Sequence, residues 1–366
     1  MNNLFATDKI NLGRQKELDM AKAFSIIFMV FVHVFLIALY FNNSFSKGYK
    51  LIFDDILGGP AAAPIFMFCM GVGVVYSRHS QWNVMIKRGI MLMLLGIFVN
   101  FFEYILPWFY SGILLGNWNT FDIFGGLIIF EVDILAFAGL SFIMMGIFKK
   151  INLSNKQLLI FAIILSILGS FLNFIEFHNV VLDILFGYFI GTNVAFTAFP
   201  FFNWFIFPIS GLIWGQYFIR VKDKERFFKF WPILIIVSLI YIILYSQFVV
   251  FDITTSSNID GFYYYMDIID VIFCLVFAHG MIGLCYKLSK HSSEKITKAY
   301  SILSSNITLI YLAQWFFIPL IIIFLVYLFK NIVFTDLLCT IISIVVLILS
   351  TAFSIYYKKL KIKLKN

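Results

Sequence analysis

The sequence predicts an all-α membrane protein, a polytopic bundle of about ten transmembrane helices, from its composition and from the spacing of its apolar runs. Hydrophobic residues make up 62% of the chain and charged residues only 13%, whereas about a quarter of the residues are charged in ordinary soluble domains. The chain contains 47 Phe and 18 Tyr residues, which are too many aromatic rings for a protein with a water-facing surface to accommodate. Lipid is therefore expected to cover many of these rings.

The apolar runs give the number of spans. A helix needs about 20 mainly apolar residues to cross the ~30 Å hydrocarbon core of a bilayer. Runs of this kind begin near residues 20, 58, 89, 131, 157, 203, 231, 264, 305 and 334. The sequence therefore predicts a cytoplasmic N-terminal segment over residues 1–18, one integral-membrane domain over 19–357, and a basic cytoplasmic tail over 358–366.

The basic residues predict the orientation of these spans. They form six clusters: Lys9/Arg14/Lys16, Arg78/Lys87/Arg88, Lys149/Lys150/Lys156, Arg220/Lys222/Lys224/Arg226/Lys229, Lys287/Lys290/Lys295/Lys298 and Lys358 to Lys365. Each consecutive pair of clusters encloses two runs, so all six lie on one face, which the positive-inside rule makes cytoplasmic. Both termini are therefore expected inside, in a multi-pass protein of the cell (inner or plasma) membrane. The net charge of +8 is accounted for by topology signals, and no nucleic-acid partner is predicted.

The segment over residues 180–198 is apolar enough to be counted as an eleventh span. Counting it would move the basic cluster from Arg220 to Lys229 to the outer face, against the positive-inside rule. We therefore predict a re-entrant or surface-lying helical segment. Such irregular backbone is tolerated at membrane depth only where protein or a water-filled cavity lines it.

The first span carries a polar stripe. Lys22 and His33 are eleven residues apart, close to three turns of a helix, so they share one face with Asp19 and Met29. With Lys22 at the cytoplasmic mouth, His33 lies ~16 Å deeper, near the middle of the bilayer. An ionisable residue at that depth is a functional hypothesis by default.

Two other features bear on packing and on metal binding. The second span contains the small residues Gly71 and Gly73, which would allow neighbouring backbones to approach closely. Four cysteines are scattered singly, without CxxC spacing or nearby His pairs, and no HExxH, P-loop or Ser-His-Asp order is present. No metal site is predicted.

The first span, ELDMAKAFSIIFMVFVH, resembles the first-helix signature of the membrane-bound acyltransferases of the acyltransferase-3 and heparan-α-glucosaminide N-acetyltransferase-like superfamily. In that signature an Arg precedes a membrane His by eleven positions. The resemblance extends through AAAPIFMFCMGVG, IKRGIMLMLLGIFVN, DILAFAGLSF, FPFFNWFIFPISGLIWG and ITLIYLAQW. It implies transfer of an acetyl or other short acyl group from a cytosolic acyl-CoA to a hydroxyl or amine of an envelope glycan or related small acceptor.

The resemblance also implies roles for particular residues. His33 would be the general base, and Lys22, Lys87 and Arg88 would bind the donor's phosphates. Supporting residues would be Asp19, Asp133, Trp204 and Gln314. The chain departs from the family pattern at Lys22, where members have Arg, at Met70, where many have Ser, and at Gln314, where a His is often found.

Other interpretations stay open from the sequence. A transporter or flippase could use Asp133, Asp183, Asp267 and His279 as an intramembrane polar pathway. In a third interpretation the protein is a non-catalytic membrane partner for an envelope assembly. The sequence does not decide between direct transfer and a covalent acyl-enzyme, and it leaves a homo-oligomer open.

Overall fold

The computed structural model describes residues 4–116, 118, 127–192, 197–248 and 264–364, with the main chain alone at 245–248. It is 77% helical with almost no sheet, which confirms the all-α class. Within these ranges seven helical segments are long and apolar enough to cross a membrane. They are Lys16–Leu39 (α1), Lys47–Tyr76 (α2), Trp82–Leu115 (α3), Lys224–Leu244, Ile268–Lys290 (α11), Glu294–Leu328 (α12) and Asp336–Lys363 (α13). The protein is thus a multi-pass membrane protein.

Shorter helices lie between α3 and α11. These are Ile134–Lys150 (α4), Asn155–Phe171 (α5), Val180–Gly187 (α6), Phe201–Trp204 (α7), Ile206–Phe218 (α8), Lys224–Phe227 (α9) and Trp231–Phe248 (α10). Three helical segments, α4, α5 and the pair α7–α8, occur where the sequence predicts the fourth, fifth and sixth spans. The count of ten spans stays a prediction.

Helix α1 lies at the centre of the bundle. It packs against α12, α11, α13 and α2, whereas α4 packs along α3 and α8 packs along α2. Two of the long helices contain π-helical turns, α2 over Leu51–Ala61 and α3 over Phe101–Ile105. Pro60 lies in the first of these turns, and it interrupts the regular ladder because proline has no N–H to donate.

The basic segments meet at one end of the bundle. The backbone N–H of Lys222 donates to the carbonyl of Leu4 at 2.9 Å, and Lys224 pairs with Glu17 at 2.5 Å. The cluster around residues 220–229 therefore lies at the same end as the N-terminal segment, as expected if residues 180–198 do not cross.

The opposite end is marked by a short parallel strand pair. There β1 (Asn43–Ser44) pairs with β2 (Phe334–Thr335). Helix α6 has eight residues and spans ~12 Å, which is too short to cross. Residues 193–196 of the predicted surface segment lie outside the described residues.

Close contact between α2 and α8 depends on two glycines. A Cβ built on Gly71 would lie 1.9 Å from the carbonyl oxygen of Pro208, and one built on Gly211 would lie 1.9 Å from that of Phe68. The two backbones therefore touch where neither residue has a side chain. Gly73 is different, because a Cβ there would meet no atom within 4 Å. Of the two glycines expected to permit close packing, only Gly71 does so here.

We expect Gly71→Ala to lower the melting temperature of the purified protein, because the added methyl group must push α8 away from α2, at a cost of about 1–3 kcal/mol. Gly73→Ala is the matched control on the same helix. It should leave the melting temperature unchanged or raise it, since Ala favours a helix over Gly by about 1 kcal/mol. Equal melting temperatures for the two variants would contradict this packing.

Candidate active site

One face of α1 forms the wall of a cavity of about 140 Å³. Met29, Val32, His33 and Leu36 line it, and their spacing of three, one and three residues places them on one side of the helix. His33 is half-buried there. The stripe predicted from the sequence therefore presents its histidine to an internal space rather than to lipid.

The His33 ring is held by three residues of α12. Its Nδ1 lies 2.9 Å from the Gln314 side-chain nitrogen, its ring stacks on Trp315 with centroids 4.5 Å apart, and Tyr311 meets its edge at 6.0 Å. Residues 311, 314 and 315 follow a spacing of three and four, so they project from the same face of α12. The histidine is therefore fixed in orientation on one side and open to the cavity on the other.

Asp133 immediately precedes α4 and lines the same cavity. The Tyr311 hydroxyl lies 2.9 Å from each carboxylate oxygen of Asp133. Tyr311 therefore contacts His33 with its ring and Asp133 with its hydroxyl. This links α12, α1 and the start of α4 at one point.

Two more acidic side chains face the cavity, Glu103 and Glu131. Glu131 accepts a hydrogen bond from the Tyr104 hydroxyl, and its backbone carbonyl accepts one from the Asn100 side chain at 2.8 Å. Glu103 and Tyr104 both belong to the π-helical turn of α3. Such turns re-aim side chains and are frequent at functional sites, and this one directs two polar residues to the cavity.

Trp204 supports the outer wall without lining the cavity. It is fully buried, its indole nitrogen donates to the backbone carbonyl of Tyr264 at 2.7 Å, and its ring packs edge-on against Phe199 at 4.7 Å. Tyr264 and Phe199 are both lining residues. The supporting position expected for Trp204 is thus one layer behind the cavity.

The residues predicted to bind the donor lie elsewhere. Lys22 is partly exposed near the basic end of α1. Ile26 and Met29, both buried, occupy the same face between Lys22 and His33. Lys87 and Arg88 are exposed on α3, and the Arg88 guanidinium lies over the Phe142 ring at 4.6 Å. None of the three cations lines the His33 cavity.

Asp19 stabilises the basic end of α1. Its carboxylate accepts a hydrogen bond from the Ser304 hydroxyl at 2.8 Å and pairs with Arg14. Since Ser304 belongs to α12, Asp19 links α1 and α12 one turn below Lys22. It lies apart from the cavity and supports the helix pair that builds it.

Sequence reasoning missed six lining side chains that can form hydrogen bonds: Glu103, Tyr104, Glu131, Tyr264, Tyr311 and Trp315. A signal existed for two of them, because Tyr311 and Trp315 share one helical face with Gln314. For Glu103 and Tyr104 no local signal was available, since their direction depends on a π-helical turn that hydropathy does not reveal.

The four residues of the transporter hypothesis lie in different surroundings. His279 accepts a hydrogen bond from the Trp214 indole at 2.7 Å, Asp267 caps the start of α11, and Asp183 accepts from the Phe177 backbone at 2.9 Å. None of these three lines the His33 cavity. Only Asp133 of the four proposed residues does so. In the described part of the chain no group of three or more His, Cys, Asp or Glu side chains could hold a metal ion.

We expect Tyr311→Phe to destabilise the protein by about 1–3 kcal/mol, because it removes the hydroxyl group that contacts both oxygens of the buried Asp133 carboxylate. Tyr356→Phe is the control, since that residue is largely exposed on α13 and should melt like the wild type. The comparison is a melting curve of each purified protein in one detergent. An unchanged curve for Tyr311→Phe would show that the link to Asp133 contributes nothing.

Comparison with known proteins identifies the family. The sequence model of the acyltransferase-3 family, described as an acyltransferase domain, matches residues 15–357. No curated protein and no solved structure matches the chain. The matched range includes α1 with His33, the residues that line the cavity and most of α13. The chain therefore belongs to the acyltransferase-3 family, and it is a membrane-bound acyltransferase.

Proposed function

We propose that this acyltransferase moves an acetyl or other short acyl group from a cytosolic acyl-CoA to a hydroxyl or amine of an envelope glycan or related acceptor, with His33 as general base. One observation carries the proposal. The imidazole of His33 is fixed by Gln314, and its other side faces a cavity lined by carboxyl groups.

The contact with Gln314 can select the tautomer that a base requires. The amide can present either its NH₂ group or its carbonyl oxygen to Nδ1 of His33. With the oxygen presented, Nδ1 carries the proton and Nε2 keeps a free lone pair. Gln314 then acts as a positioning residue, in the way that a carboxylate or carbonyl orients other catalytic histidines.

The reaction follows from that lone pair. Nε2 of His33 takes the proton of the acceptor hydroxyl while its oxygen forms a bond to the thioester carbonyl carbon. The tetrahedral intermediate collapses as the carbon–sulfur bond breaks, and the thiolate takes the proton back from the imidazolium. Proton transfer of this kind contributes about 10²–10⁴-fold to a rate.

The lining supports an acceptor rich in hydroxyl groups. Glu103, Glu131 and Asp133 offer carboxylate oxygens, which accept hydrogen bonds from hydroxyl or amine donors. Tyr264 and Trp315 offer apolar ring faces beside them. A sugar presents both kinds of surface.

For the donor we propose the cytoplasmic end of the bundle. Lys22, Lys87 and Arg88 would draw the phosphates of acyl-CoA to that face, and Lys22 shares the helical face of His33. Residues 19–357 would form the single acyltransferase domain, placed in the cell membrane with both termini inside. Family membership supports an acyl donor and an acceptor in general, and the residues above support this more specific assignment.

We expect His33→Ala to reduce acyl transfer about 10²–10⁴-fold while the protein inserts normally, because it removes the proton acceptor and an apolar side chain is welcome in a span. The measurement is release of free thiol from acetyl-CoA by membrane vesicles, per molecule of folded protein, together with the melting temperature. His279→Ala is the matched control, since it removes a buried histidine bonded to Trp214. It should lower the melting temperature and retain activity. If His33→Ala kept its activity with a lowered melting temperature, and His279→Ala lost its activity, His33 would not be the general base.

We expect Lys22→Ala to raise the KM for acetyl-CoA, whereas Lys22→Arg should keep most of the affinity. The reason is that positive charge attracts the donor's phosphates first, and the forked geometry of Arg adds to it second. Steady-state kinetics of the three proteins over a range of acetyl-CoA concentrations test this. Identical KM values would place donor binding away from Lys22 without affecting the assignment of His33.

A further inference from the structure

A second cavity, of about 500 Å³, lies at the basic end of the bundle. Its floor is apolar and buried, formed by residues such as Val74, Met85 and Phe148. Its rim carries three cations, Lys9, Lys149 and Arg220. No residue lines both this cavity and the one at His33. The two cavities are therefore lined by separate sets of residues.

The fold brings Lys9 to Arg220 by a defined set of bonds. The N-terminal segment lies along the loop after α8, where the backbone N–H of Ala6 donates to the carbonyl of Arg220 at 2.7 Å. The backbone N–H of Ile10 donates to the carbonyl of Ile219 at 2.9 Å. The Asn11 side chain then donates to the carbonyl of Val221 at 2.7 Å. This segment is consequently held in place on both sides of Lys9.

The third cation is anchored from the other side of the cavity. The Lys149 ammonium, at the end of α4, donates to the backbone carbonyl of Ser80 at 2.6 Å. Between the cations, the Asn155 amide donates to the side-chain oxygen of Gln216 at 2.6 Å. Asn155 is the first residue of α5, so the positive end of that helix dipole also faces this region.

Among the described residues, no carboxylate neutralises the three cations on the rim of this cavity. At the same end Arg14 pairs with Asp19, Lys224 with Glu17, and Lys287 and Lys290 with Glu225. Lys9, Lys149 and Arg220 form no ion pair with any residue in the described ranges, and no carboxylate lines their cavity. The positive-inside rule accounts for cations at this end. It does not account for three cations without a carboxylate partner around one cavity with an apolar floor.

We propose that this cavity binds a phosphate group attached to an apolar chain, with the phosphate at the three cations and the chain against the floor. An anionic phospholipid and a fatty acyl-CoA both have this chemistry. Charge-assisted contacts from Lys and Arg to phosphate are strong, and basic pockets between helices on the cytoplasmic side bind lipid head groups. The proposal does not depend on the role of His33.

The test uses the full-length protein in phosphatidylcholine nanodiscs, titrated separately with dioleoyl phosphatidylglycerol and with palmitoyl-CoA. The cavity variant is Lys9→Gln/Lys149→Gln/Arg220→Gln. The control variant is Lys295→Gln/Lys298→Gln/Lys359→Gln, which removes the same charge from exposed positions at the same end. Binding is read by native mass spectrometry and by the shift in melting temperature.

We expect the cavity variant to lose at least tenfold in affinity for one or both probes, since each cation near the membrane surface contributes about fivefold. The control variant should bind like the wild type. If the cavity variant loses binding of phosphatidylglycerol alone, the ligand is a phospholipid. If it loses binding of palmitoyl-CoA alone, the ligand is an acyl-CoA. Arg220→Gln alone should show a smaller loss of affinity, and this single variant provides the test if the triple variant does not fold. Equal affinity in all proteins, or equal loss in the cavity and control variants, would overturn the proposal.

Discussion

The structure depends on one constraint, the absence of water from the bilayer core. Every backbone N–H and C=O group there must bond within the protein, so the chain is helical wherever it crosses. Two departures from the regular ladder occur over Leu51–Ala61 and Phe101–Ile105. Both contribute residues to the His33 cavity. Irregular backbone is thus placed where protein encloses it, and the same irregularity aims Glu103 and Tyr104 inward.

Polar side chains inside the bundle are joined into a small network. Gln314 contacts His33, and Tyr311 contacts both His33 and Asp133. Leaving any of these groups without a partner would cost free energy, because a buried donor or acceptor cannot form a hydrogen bond to water instead. The network therefore fixes how α12, α1 and the start of α4 fit together. A histidine held in one orientation suits the general-base role that we propose for His33.

Charged groups have different partners at the basic end of the bundle and in the His33 cavity. At the basic end, ion pairs such as Lys224–Glu17 and Lys287–Glu225 join loops to helices. Deeper in the bundle, carboxyl groups face the His33 cavity, and tyrosine hydroxyl groups are among their partners. In the proposed function, cations at the basic end that have no carboxylate partner would attract the donor's phosphates, and the carboxyl groups of the cavity would accept hydrogen bonds from the acceptor's hydroxyl groups.

The sequence by itself determined the helical class, the common end of the basic clusters and the helical alignment of Lys22 with His33. These properties depend on local hydropathy and on the 3.6-residue period, which a chain carries whatever its neighbours. Only the tertiary structure decided which side chains surround His33, and that Asn11 meets Val221, 210 residues away. Such contacts arise from packing between distant helices, and the direction of Glu103 arises from a π-helical turn. Neither packing nor that turn leaves a local pattern in the sequence.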